Sequence, residues 1–93
     1  MSTMTLRIEK YSDGYGVTIR LIGRMQAEHL EGLEKLIGES GPAISLDLDE
    51  VALVDVESVR FLGDCEAQGA TLLNCSPYIR DWIGKERGQR KKE

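Results

Sequence analysis

The sequence predicts an α/β fold: a small mixed four-stranded sheet in the order β-β-α-β-α-β-α, with helices mainly on one face. Three observations carry this expectation. Apolar residues alternate singly in short stretches, the period of a half-buried strand. They recur every three to four residues in other stretches, the period of an amphipathic helix. After an opening hairpin, strand and helix patterns take turns, which implies parallel strands joined by right-handed crossovers. Ninety-three residues hold one such domain.

The elements follow in order. Met4, Leu6 and Ile8 alternate with Thr5, Arg7 and Glu9, giving a first strand over 4–9. Ser12-Asp13-Gly14 supplies turn chemistry. A second strand over about 15–22 completes the hairpin, and Gly23 closes it. From Gln26 to Gly38 the period becomes helical, with Ala27, Leu30, Leu33, Leu36 and Ile37 on one stripe, and Gly38 with Gly41-Pro42 ends it. Ile44 to Leu48 is the third strand by alternation, and residues 49–54 lead to Asp55, a good N-cap residue. A second helix covers 56–68, stopped by Gly69. Residues 70–74 make a short fourth strand. Ser76-Pro77 opens a third helix with a Ser cap and Pro in its first turn. The apolar pattern stops at Gly84, so the expected division is a domain over 1–84 and a basic, flexible tail over 85–93.

Charge and composition exclude several functions. The net charge is −4, with five basic and two acidic side chains in residues 85–93 and seven basic against fourteen acidic in the rest. An acidic body does not suit nucleic acid, whose phosphates need a basic face. The longest unbroken apolar run, Val51 to Val54, is far too short for membrane insertion. The first residues lack a basic stretch followed by an apolar run, so no export signal is expected. Cys65 and Cys75 lack metal-ligand spacing and are expected to be reduced and buried. The one histidine, His29, falls on the polar side of the first helix and is expected in solvent. No nucleophile, phosphate loop or cofactor motif accompanies it, so the chain is not expected to be an enzyme.

The second helix carries the functional signal. On a helical wheel Val59, Phe61, Leu62 and Cys65 form the apolar stripe, with Ser58 inside it. Glu57, Arg60, Asp64 and Gln68 share the opposite face, spaced for Glu57–Arg60 and Arg60–Asp64 ion pairs. Such a face is either solvated or a docking surface.

The chain resembles the STAS domain, the fold shared by bacterial anti-sigma factor antagonists and sulfate-transporter tails. The resemblance rests on Leu21-Ile22-Gly23 before an amphipathic helix, Leu46-Asp47-Leu48, the apolar approach Val51-Ala52-Leu53-Val54 to Asp55, Gly69 before a strand, and Ser76-Pro77-Tyr78. It covers about residues 4–84. In that family the helix after the Asp begins with two hydroxyl residues and a Gly, and the second hydroxyl accepts a phosphate from a partner kinase. Here the aligned residues are Val56, Glu57 and Ser58. Glu57 therefore occupies the phosphoacceptor position, a pseudo-phosphosite with a fixed carboxylate. Ser58 is the alternative acceptor, disfavoured because the wheel buries it.

The resemblance implies a non-enzymatic regulatory module in the bacterial cytoplasm. It would dock through Asp55, Val56, Glu57, Arg60 and Asp64 onto an anti-sigma-factor kinase. Without a phosphoacceptor, an alternative is an accessory subunit docking on the ATPase of an ABC-type lipid transporter. The family pattern continues for one more strand and helix, so an open sheet edge and a homodimer through it are also expected. A further alternative uses the acidic residues Asp47, Asp49, Glu50, Asp55 and Glu57 to hold a metal or small ligand, although no metal site with recognisable spacing is predicted.

Overall fold

The structure, a computed structural model, describes residues 6–41 and 43–90. Its strands are β1 (Leu6–Ser12), β2 (Val17–Met25), β3 (Ile44–Val54) and β4 (Thr71–Leu73), and its helices are α1 (Leu30–Ser40), α2 (Val56–Ala67) and α3 (Pro77–Arg90). The sheet order is β1-β2-β3-β4, with β1 antiparallel to β2 and the other neighbours parallel. This is the mixed four-stranded sheet read from the sequence. Met4, Thr5 and Pro42 lie outside the described residues.

One apolar cluster holds the fold. Ile19 and Leu21 of β2, Leu46 and Leu48 of β3, Leu33 of α1, Val59 and Leu62 of α2, and Ile79 and Ile83 of α3 are all buried in it. All three helices therefore cover the same sheet face. The other face is polar and follows the strand register. Tyr11, Thr18, Ser45 and Thr71 stand in line across the four strands, and Glu9, Arg20, Asp47 and Leu73 form the next row. Arg20 pairs there with Glu50.

Several element ends differ from the expectation. Gly23 does not close β2 but sits inside it at φ 108°, where the register with β3 shifts, and the strand runs on until Met25 is buried. That continuation gives Val51, Leu53 and Val54 strand partners in Gly23, Arg24 and Met25, so β3 extends through the segment expected to be a loop. Asp49 and Glu50 are thus strand residues. Gly38 is tolerated within α1, which ends at Gly41 with φ 94°, a conformation that favours glycine. Ala27 leaves the apolar stripe, because a 3₁₀ turn over Ala27–His29 precedes α1.

The largest difference is at the C-terminal end. α3 does not stop at Gly84; residues 85–90 continue it. α3 as a whole lies antiparallel along α2, as Arg60 Nε donates to Glu86 Oε1 at 2.9 Å and Arg80 donates to Glu66 at 2.7 Å. Gly63 permits the approach: a Cβ there would meet Ile83 at 3.3 Å and Arg87 at 3.5 Å. The segment is amphipathic through ion pairs and aliphatic stems rather than apolar side chains, which is why the hydrophobic pattern missed it. Residues 91–93 lie outside the described residues.

Candidate functional site

Asp55 links two crossovers. The β3 backbone delivers it in an extended conformation, and its carbonyl accepts the N–H of Val59 at 3.0 Å to start α2. Oδ1 accepts the Ser58 N–H at 2.9 Å, an N-cap bond. Oδ2 accepts the Ala27 N–H at 2.9 Å, from the 3₁₀ turn before α1. Burial alone would raise the Asp55 pKa, but hydrogen bonding from Ser58 and Ala27 outweighs it, and the carboxyl is held below its ordinary value. The α2 entry and the α1 entry are thus fastened by one side chain.

Beyond the cap, Val56 is half-buried and Glu57 is exposed. Glu57 lies 3.6 Å from Arg60. Ser58 is fully buried, as are Val59 and Leu62 on the same helix. Its hydroxyl approaches the Asp55 carboxylate without reaching hydrogen-bond geometry with any group. The start of α2 therefore presents a carboxylate outward and turns its one hydroxyl inward.

The rest of the expected docking face divides. Arg60 leans toward α3, where Glu86 takes it. Asp64 instead lines a groove of about 260 Å³ between α1 and α2, with Glu34, Ile37, Phe61 and Cys65. Burial, with Asp64 and Glu34 nearby, pushes the Cys65 thiol up to about 11. Cys65 and Cys75 are both free and only partly buried.

Three participants escaped the sequence reading. Leu53 exposes its side chain two residues before Asp55. Glu86 reaches α2 across a contact that no local pattern predicts. His29 is not a solvated residue: its Nδ1 accepts the Gln26 N–H at 3.0 Å and completes a reciprocal cap of the 3₁₀ turn. Gln26-x-x-His29 is a variant of the capping-box spacing, and that signal was present in the sequence.

The acidic residues 47–57 do not converge. Asp47 Oδ1 accepts from Asn74 and from the Asp49 N–H, each at 3.1 Å. Those bonds, the Asn74 side chain first, hold the Asp47 carboxyl below its ordinary value. Glu50 pairs with Arg20 and Asp55 is engaged as a cap. Among the described residues no group of three or more His, Cys, Asp or Glu side chains is placed to hold a metal ion. Among them, too, no helix is long and apolar enough to cross a membrane.

No protein-family model matches the chain, and no curated protein matches it significantly. Among solved structures it is similar to the anti-sigma factor antagonist SpoIIAA in its unphosphorylated form, with a TM-score of 0.66 and 22% sequence identity. The match covers 87% of this chain and 81% of that one. The likeness is one of fold, and the fold is the STAS-like one that the motifs imply.

Proposed function

We propose that the chain is a non-enzymatic STAS-like regulatory module that acts by docking on a partner protein in the bacterial cytoplasm. One observation carries the reading: Glu57 stands outward at the first turn of α2 while Ser58 is buried. A fixed carboxylate near a helix N-terminus is favourable by roughly 0.3–1 kcal/mol. It also carries part of the charge of a phosphate, about −1 against −1.5 to −2. Asp55 orients the helix, Val56 and Glu57 form the centre of the contact surface with exposed Leu53 as an apolar anchor beside them, and Arg60 and Asp64 lie on its two flanks, toward α3 and α1.

The partner on this reading is a serine kinase of the anti-sigma-factor type, and the module is held permanently in the state that phosphorylation would otherwise produce. The buried Ser58 hydroxyl also favours a second reading, docking on a transporter ATPase, which needs no switch. In either case association through an open sheet edge can accompany docking.

The test is affinity capture with the wild-type chain and with Glu57→Ser, followed by mass spectrometry and binding measurements on the protein recovered. A kinase bound more tightly by Glu57→Ser supports the first reading. An ATPase bound equally by both supports the second. Recovery of a kinase with identical affinity for both chains removes Glu57 from the mechanism.

A further inference from the structure

β1 is the long free edge of this sheet. Among the described residues it pairs only with β2, while β4 at the opposite edge is three residues long. An edge strand offers unpaired N–H and C=O groups to another chain. On β1 the side chains around them are ordered. Ile8, 40% exposed, points to the helix-bearing face, and Arg7 and Glu9 flank it on the polar face.

We propose that a second copy of this chain pairs antiparallel with β1 about a two-fold axis at Ile8, normal to the sheet, joining the two sheets into one. The proposal deepens only the open-edge part of the function above and uses none of the α2 residues.

The register argues for a copy of the same chain. A two-fold normal to the sheet must be centred on a residue, so that side chains facing each other share a face. Centred at Ile8, it sets Ile8 against Ile8 and Arg7 against Glu9 of the second copy, twice. It also sets Leu6 against Lys10, whose methylene stem can cover it. Centred at Leu6, it gives Arg7 and Glu9 no opposite charge to face; centred at Arg7, Glu9 or Lys10, it sets a charge directly against its own kind, which is destabilising. The run Leu6-Arg7-Ile8-Glu9-Lys10 thus complements its own reverse at one centre.

The charges are also held ready. Tyr11 donates to Glu9 Oε1 at 2.7 Å, and Arg7 lies 3.1 Å from Glu9 Oε2 while 69% exposed. On pairing, Arg7 exchanges its own Glu9 for that of the second copy, so neither charge is stranded. The backbone ladder and the Ile8 contact supply the attraction, and the charges select the register.

The experiment is light scattering or sedimentation of the full chain across a concentration series, with far-UV circular dichroism to confirm folding. The wild type is expected to form a dimer. Arg7→Glu and Glu9→Arg are each expected to weaken it by about tenfold, and the double exchange to restore it. Ile8→Cys, against a wild-type control for Cys65 and Cys75, is expected to cross-link on mild oxidation. Facing Cα atoms in an antiparallel pair lie about 4.5–5.5 Å apart, within disulfide range. Lys10→Cys is expected not to cross-link. A wild type that stays monomeric, or a dimer indifferent to both charge reversals, overturns the proposal and leaves docking at α2 untouched. Loss of partner capture with the dimer intact would do the reverse.

Discussion

Replacing Asp55 with Ala removes two hydrogen bonds at once, to Ser58 and to Ala27, each 2.9 Å long. Loss of an N-cap costs about 1 kcal/mol. Loss of a carboxylate acceptor for a second N–H costs about 1–2 kcal/mol more, since water recovers part of it at this half-exposed position. The expected destabilisation is therefore about 2–3 kcal/mol, read by urea denaturation, or roughly 10–20 °C in Tm for a chain of this size. Asp55→Asn keeps one acceptor oxygen and is expected to lose about half as much. The pH dependence has a definite sign. The folded carboxyl has a depressed pKa, so its contribution is fully present above the unfolded value of about 3.9 and is lost as pH falls through the folded value. Asp55→Asn should flatten that acid limb. Amide exchange gives the local readout: Ala27 and Ser58 should both lose protection. A variant within about 0.5 kcal/mol of wild type, or one that exposes Ser58 and leaves Ala27 protected, would refute the bridging role.

Four further outcomes follow from the packing. Ser58→Ala should stay within about 1 kcal/mol of wild type in chemical denaturation, because the buried hydroxyl it removes lies outside hydrogen-bond geometry and only assists the Asp55 carboxylate. Gly16→Ala should cost about 1–3 kcal/mol by the same assay, since its Cβ would lie 2.6 Å from the Ala43 carbonyl oxygen that accepts the Val17 N–H. Glu86→Ala should cost about 0.5–1 kcal/mol and raise amide exchange in the last turns of α3, because it frees Arg60. In Cys75→Ser the remaining thiol, Cys65, should react slowly with a disulfide reagent near pH 8 and gain about tenfold per pH unit up to about 11, its raised pKa.

The parts of the fold legible in the sequence were those written in local period. Ile19 and Leu21, Leu46 and Leu48, and Val59 and Leu62 each announce their buried face within a few residues. What the sequence did not show depends on distant partners. β3 reaches Val54 only because β2 continues past Gly23 to pair with it, and a glycine in a strand reads locally as a stop. The last turns of α3 are anchored by Arg60 and by the space above Gly63, on a different helix. At the candidate site, the Asp55 cap and the burial of Ser58 were readable from residue type and wheel position. The second Asp55 bond was not, because Ala27 is brought to it by the crossover rather than by sequence spacing.

Among the described residues, β1 runs against the other three strands. A two-fold axis normal to the sheet reverses every strand, so pairing through β1 would point the two copies' parallel strands in opposite directions. Each α2 entry lies at the C-terminal end of its own β3, so the docking surfaces would sit at opposite ends of the joined sheet. Such a pair cannot grip two neighbouring sites on one partner, which is the arrangement that yields avidity. It would act as a bridge, holding two partner molecules at opposite ends of one joined sheet.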